Sequence, residues 1–167
     1  MRTPTSDFLL ETYFMTVWDE ERTQAAHTLL ARARAGDAMA QRTLPSILNS
    51  ERDSALRMQI VECLHATGAP SAIPALAKAL FDADPLVRAR AAVALGEMGS
   101  PRRLSPFLLA LIDAVPDPAT RTPAEKMVRA VTGRAVEKIT LSERERLRAG
   151  DHAEALWAEH FATLPPL

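Results

Sequence analysis

The sequence predicts an all-α fold, a solenoid of stacked helical hairpins with capping helices at its N- and C-terminal ends. Two observations carry this prediction: a gapless internal repeat, and helix-start and helix-stop residues at fixed places within it. Composition agrees, because alanine, leucine and arginine are good helix formers. The 167 residues include only five Phe, two Trp and one Tyr, a poor match to a β-sandwich.

The internal repeat superimposes residues 53–70 on residues 84–101. Five positions are identical in the two copies: Asp53/Asp84, Arg57/Arg88, Leu64/Leu95, Gly68/Gly99 and Pro70/Pro101. A period of about 20 to 50 residues is typical of solenoids, in which each unit buries its apolar face against the next. Leu64 and Leu95 are therefore expected in the core.

Each repeat is interpreted as two helices. The first runs from Pro70 to Phe81, with apolar residues at helical spacing. The second starts at Asp84, a favourable N-cap, followed by Pro85 at the first helical position, and Gly99 supplies the stop. Its apolar stripe is expected to face neighbouring hairpins: Val87, Ala91, Ala94, Leu95 and Met98.

The same frame extends in both directions. Upstream, a helix from Asp19 to Ala35 is expected to end at Gly36. Downstream, Leu104 to Ile112 forms the first helix of another hairpin. The capping-box pattern that starts at Thr122 places the start of its second helix near Pro123. That helix is expected to direct Met127, Val128 and Val131 inward.

Two more helices are expected after Gly133: a charged one over Thr140–Arg148 and an amphipathic one over Asp151–Thr163, with Ala155, Leu156, Trp157 and Phe161 on its apolar side. The sequence thus predicts one domain over residues 1–167. Its parts are N-terminal capping helices over 1–36, repeats over 37–138 and C-terminal capping helices over 139–167.

The motif from Asp84 through Val87 and Arg88 to Leu95 and Gly99 resembles a HEAT repeat, of the bacterial type also found in phycobilin lyases. The resemblance is most specific over residues 70–101. It implies a binding module and a ladder of charge pairs between adjacent repeats, formed by Asp53, Asp84, Arg57 and Arg88. Because the last hairpin departs from the repeat, the place of Arg121 in that ladder stays open.

No catalytic, cofactor-binding or metal site is predicted. The single cysteine, Cys63, excludes an intramolecular disulfide and is interpreted as a small buried hydrophobe. Glu62 with His65, and His152 with Glu159 and His160, supply too few ligands for a metal shell. Phosphate-binding, esterase and metalloprotease motifs are absent from the sequence.

Hydropathy and net charge disfavour two classes of partner, membranes and nucleic acids. No apolar run approaches the ~20 residues that span a bilayer, and the N-terminus lacks a signal-peptide pattern, so a cytoplasmic protein without a membrane partner is expected. A net charge of -1 disfavours a nucleic-acid binder, since that function normally requires a strongly basic surface.

The favoured function is a non-enzymatic adaptor or scaffold subunit that binds another protein. The alternative, given by the resemblance, is an enzyme that modifies a bilin or another small molecule. A third hypothesis is a HEAT-like nucleic-acid binder, suggested by arginine pairs such as Arg102 and Arg103.

Two surfaces are candidates for the partner. The first is the concave side lined by second helices, where the outward positions include Gln59, Glu62, Arg90, Val93 and Glu97. The second is the N-terminal segment over residues 8–18, read as one helix whose apolar residues surround most of its circumference.

The aromatic residues of that segment are Phe8, Tyr13, Phe14 and Trp18. One side of the helix is expected to cap the first hairpin, while the opposite side contacts a partner or a second copy of the chain. Tyr13 and Trp18 are the expected anchors, because their rings combine apolar area with one polar group.

Overall fold

A computed structural model describes residues 4–166. Helices make up 76% of the described residues, which contain no β-strand, so the predicted all-α fold class of helical hairpins is confirmed. The chain divides into two compact units, Met1–Ala75 and Leu76–Leu167.

The first unit contains four helices that pack in sequence order: α1 with α2, α2 with α3 and α3 with α4. These helices are α1 (Ser6–Met15), α2 (Asp19–Arg34), α3 (Ala38–Ser50) and α4 (Ser54–Thr67). The predicted helix from Asp19 is confirmed as α2, and Gly36 follows its end with a φ of 93°.

The boundary between the units falls inside α5 (Ile73–Ala79), which follows a short 3-10 turn at Pro70–Ala72. Together the turn and α5 form the first helix predicted for the Pro70–Phe81 segment. Asp84 then caps α6 (Pro85–Met98) by accepting a hydrogen bond from the Leu86 amide at 2.8 Å. The predicted start of the second helix is therefore confirmed.

The remaining helices all lie in the second unit. They are α7 (Pro101–Leu104), α8 (Leu108–Ala114), α9 (Arg121–Thr132), α10 (Leu141–Arg148), α11 (Ala153–Leu156) and α12 (Ala158–Thr163). A 3-10 turn at Ser105–Phe107 joins α7 to α8, and another at Val136–Lys138 follows α9. The predicted charged helix is α10, and Thr140 and Glu143 form a reciprocal capping box at its start.

Two boundary predictions in this unit were wrong. Helix α9 begins at Arg121, so Pro123 lies within its first turn, where a missing N–H is tolerated. The segment Asp151–Thr163 is two short helices, because Trp157 leaves the helical conformation with φ -124° and ψ 42°. Trp157 and Phe161 are buried as predicted, whereas Ala155 is exposed.

The predicted core is confirmed in both units. Leu64 is buried in the first unit and Leu95 in the second. On α6 the apolar stripe is inaccessible to solvent at Val87, Ala91, Ala94 and Leu95, and half-buried at Met98. The predicted inward residues of α9, Met127, Val128 and Val131, are buried as well.

The two equivalent glycines end their helices differently. Gly68 has a φ of 62°, a left-handed conformation that glycine adopts without strain. Gly99 has a φ of -90°, which any residue can adopt. A side chain there would still be excluded, because a Cβ would lie 2.7 Å from the Leu95 carbonyl oxygen and would overlap the Leu104 side chain.

Three arginines at equivalent positions bond the backbone of the turn before their own helix. Arg57 donates to the Arg52 carbonyl at 2.8 Å, Arg88 to the Asp82 carbonyl at 2.8 Å, and Arg121 to the Val115 carbonyl at 3.3 Å. In each case the acceptor lies five or six residues before the arginine. Arg121 thus occupies the third repeat position, and helix α9 begins at this residue.

The second unit contains a charge pair between adjacent hairpins, but its acidic partner is not one of the aspartates expected for the ladder. Arg88 of α6 forms an ion pair with Asp117, in the turn between α8 and α9. The pair connects the second helix of one hairpin to the turn of the next. Asp53 and Asp84 act as N-caps of α4 and α6.

Candidate protein-interaction surface

Helix α1 has one buried side and one exposed side. Leu9 and Tyr13 are buried against the first unit, whereas Phe8 and Phe14 are exposed at 58% and 46%. Leaving large apolar side chains in water is costly, so a contiguous exposed group of them is typical of interaction sites. The expectation that the two sides of this helix differ is confirmed.

The exposed apolar residues continue beyond the end of α1. The helix ends at Met15 rather than at residue 18, and Val17 and Trp18 lie in the turn before α2 with exposures of 86% and 68%. The prediction of one continuous helix was therefore wrong. Five of the ten exposed large hydrophobic residues within 4–166 lie in this segment: Phe8, Phe14, Met15, Val17 and Trp18.

Tyr13 is not an exposed anchor, and that expectation was wrong. Its ring is buried, with 2% exposure, and its hydroxyl donates a hydrogen bond to Glu51 Oε2 at 3.0 Å. Burial raises the pKa of the Tyr13 hydroxyl, and the Glu51 carboxylate acts in the same direction. Tyr13 holds α1 on the turn between α3 and α4, so it orients the exposed residues instead of contacting a partner directly.

A second polar contact fixes the beginning of α1. The Ser6 hydroxyl donates to Asp37 Oδ2 at 2.7 Å, and Arg32 donates to the Ser6 oxygen at 3.2 Å. Arg32 also donates to the Pro4 carbonyl. The Ser6 hydrogen bond is the main reason that the pKa of Asp37 is lowered. Sequence patterns did not identify these contacts, because the residues are separated by 26 and 31 positions.

A groove of about 600 Å³ runs along α1 and the first turns of α2. Its apolar wall is formed by Phe8, Leu9 and Trp18. Its other side includes three consecutive acidic residues at the start of α2: Asp19, Glu20 and Glu21. Two of the four predicted aromatic contact residues, Phe8 and Trp18, therefore line one groove.

The predicted second surface lies on α4 and α6. Gln59 is half-buried and Glu62 exposed in the first unit, and Arg90, Val93 and Glu97 are exposed in the second. Val93 and Glu97 also line a cleft of about 410 Å³ with Lys126 and Met127 of α9. A role for these five residues in partner binding stays a prediction.

The side chains considered for catalysis or metal binding take part in packing and hydrogen bonding within the fold. Cys63 is buried, and burial raises the pKa of its thiol above the usual range. His160 lies against Gly133 and makes a 2.9 Å hydrogen bond with the Ala130 carbonyl. Within residues 4–166, no group of three or more His, Cys, Asp or Glu side chains is arranged to hold a metal ion.

None of the helices between residues 4 and 166 is both long and apolar enough to cross a bilayer.

Comparison with protein families matches residues 42–129, more than half of the chain, to HEAT repeats. The chain belongs to the HEAT-repeat family. The match extends from α3 to α9, so it contains the three equivalent arginines and both repeat glycines. The match does not show that these repeats are of the bacterial phycobilin-lyase type. A comparison with curated proteins gave no match.

HEAT repeats are commonly protein-interaction modules. The helix α1 and the groove beside it lie before the matched residues. This HEAT-repeat chain therefore carries an exposed aromatic surface outside the part that defines its family.

Proposed function

We propose that this HEAT-repeat protein is a non-enzymatic adaptor or scaffold subunit, and that it binds a protein partner through the exposed side of α1 and the adjoining turn. The observation that carries the proposal is the concentration of exposed apolar residues in that segment: Phe8, Phe14, Met15, Val17 and Trp18. Burying apolar surface is the main source of affinity in protein association.

The polar contacts of Tyr13 and Ser6 support this function. They attach α1 at two places to the helices beneath it, so its exposed side is held in one orientation. A surface that is already ordered loses less conformational entropy when it binds. Further proposed contact residues are Gln59 and Glu62 on α4 of the first unit and, separately, Arg90, Val93 and Glu97 on α6 of the second unit.

The test is copurification of the tagged chain from its native host, in three forms. We expect one stoichiometric protein partner with the unaltered chain and its loss with the double variant Phe8→Ala, Trp18→Ala. The matched control is Leu141→Ala, which removes a side chain of similar exposure (68%, as for Trp18) from α10 in the other unit. This control should retain the partner.

Two results would count against the adaptor. Retention of the partner by a correctly folded double variant would place the interface elsewhere, with the α4 and α6 residues as the next to replace. A coloured or metal-bearing preparation without any protein partner would favour an enzyme.

A further inference from the structure

The groove beside α1 carries an uneven distribution of charge. Residues 6–28, which form α1 and most of α2, contain five carboxylates and one arginine, a formal charge of -4. The whole chain has a formal charge of -1. The excess negative charge is thus concentrated in this segment, three of whose five carboxylates line the groove, and the remainder of the chain is basic on balance.

Arg22 is the one arginine within residues 6–28, and its side chain contacts residues of the first unit. Arg22 forms an ion pair with Asp19 at 3.0 Å, and its guanidinium lies 6.0 Å from the centroid of the buried Tyr13 ring. It therefore offsets part of the charge of Asp19. Glu21 accepts a hydrogen bond from the Thr16 hydroxyl, an uncharged donor, at 2.8 Å.

We propose that this groove binds a basic peptide segment of the protein partner, with apolar side chains against Phe8 and Trp18 and Lys or Arg side chains at the acidic edge formed by Asp19, Glu20 and Glu21. The inference rests on the proposed function and specifies its partner. Aromatic rings accommodate both the aliphatic stems of Lys and Arg and their cationic groups. Complementary charge adds selectivity and speeds association.

The acidic edge also has a local role, since carboxylates stabilise the start of a helix through its dipole. That role needs neither an aromatic wall nor a groove of about 600 Å³, a size typical of ligand-binding clefts. The combination of both features in one groove is what favours a basic segment over a neutral or acidic one.

The experiment uses three fluorescently labelled synthetic peptides of equal length and equal apolar content, with Lys, Gln or Glu at all polar positions. Fluorescence anisotropy measures their binding to the intact chain at low and physiological ionic strength. We expect the Lys peptide to bind at least about tenfold more tightly than the Gln peptide. The preference should decrease with added salt, because the carboxylates are exposed.

Variants assign this preference to the groove. Asp19→Asn, Glu20→Gln, Glu21→Gln together should reduce Lys-peptide affinity to that of the Gln peptide. Glu20→Gln alone leaves the Asp19–Arg22 pair in place and should cause a smaller loss. The matched control neutralises three exposed carboxylates of the second unit, Glu137→Gln, Glu145→Gln, Glu159→Gln, and should keep the preference. Circular dichroism checks that each variant is folded.

Several results would overturn the inference: equal binding of the three peptides, a Lys preference that survives in the folded triple variant, or no binding below about 1 mM. Light scattering tests the alternative that a second copy of the chain occupies the groove. A dimer that Trp18→Ala dissociates, together with a groove closed to the Lys peptide, would also overturn it.

Different results would contradict the proposed function and the basic-segment inference. If copurification yields a partner that Phe8→Ala, Trp18→Ala releases but the acidic triple variant retains, the proposed function stands and the basic-segment inference fails. If no partner depends on the aromatic residues, the proposed function itself is wrong.

Discussion

Leu95 and Leu86 lie on the same helix, α6, in opposite surroundings. Leu95 is inaccessible to solvent, whereas Leu86 is 62% exposed. Leu95→Ala should lower the free energy of unfolding by about 2 to 5 kcal/mol, through lost burial and the cavity left behind. Leu86→Ala is the control and should cost less than about 1 kcal/mol. Urea unfolding measures both, and a loss below about 1 kcal/mol at Leu95 would contradict its place in the core.

The two glycines of α6 should respond in opposite directions to alanine. Gly96 has open space where a Cβ would be added, so Gly96→Ala should stabilise the helix by about 0.4 to 1 kcal/mol. Gly99→Ala should destabilise the protein, because its Cβ would overlap the Leu95 carbonyl and Leu104. Thermal melting of the two variants tests this, and an equal or higher Tm for Gly99→Ala than for Gly96→Ala would contradict it.

Sequence patterns identified the buried leucines and the helix-ending glycines, but not everything about these residues. Apolar residues surround α1, so periodicity alone could not show that Tyr13 faces inward. Its orientation depends on Glu51, 38 positions away. The repeat assigned the same role to Gly68 and Gly99, whereas the positions of Leu104 and the Leu95 carbonyl explain why Gly99 tolerates no side chain.

At the scale of elements, the repeated arginines connect helices to turns. Arg57, Arg88 and Arg121 each donate to a carbonyl five or six residues before them. The sequence showed the first two as a repeat, and the longer turn before α9 concealed the third. Helix α9 begins at Arg121, the residue that donates to the preceding turn.

The Arg88–Asp117 pair should make stability depend on pH. The Arg88 hydrogen bond is the main reason that the pKa of Asp117 lies below its ordinary value of 3.8 in the folded protein. A carboxylate whose pKa is lowered by folding stabilises the protein above 3.8, and this contribution is lost as pH falls through the lower folded value. Asp117→Asn should therefore be less stable than the unaltered chain at neutral pH.

Urea unfolding of both proteins over a series of pH values from neutral to acidic measures this dependence. The difference between them should shrink as pH falls through the lowered pKa of Asp117 in the folded protein, because a protonated Asp117 resembles asparagine. A difference that stays constant over the whole range would show that the pair does not stabilise the fold.

Helix boundaries also show where local patterns fail. Thr122 and Pro123 form a valid helix-start pattern, yet α9 begins before them because Arg121 bonds to the preceding turn. Trp157 interrupts the last amphipathic segment because its ring is buried in a non-helical conformation. Single-segment patterns show neither the hydrogen bond from Arg121 to the turn nor the burial of Trp157.

At the scale of the whole molecule, the family and the proposed interface occupy different parts of the chain. The match to HEAT repeats covers residues 42–129, whereas the exposed aromatic segment lies within residues 8–18. The sequence predicted the fold class and the presence of an aromatic N-terminal surface. It did not predict the groove, because that requires the packing of α1 on α2.

The central claim is that the exposed side of α1 and the turn before α2 bind a protein partner. Isothermal titration calorimetry with the purified partner tests it most directly, on the unaltered chain, on Phe8→Ala, Trp18→Ala and on Leu141→Ala. We predict that the double variant loses at least about 2 kcal/mol of binding free energy, as expected for aromatic residues at the centre of an interface, while Leu141→Ala binds normally. Equal affinities for all three folded proteins would contradict the claim.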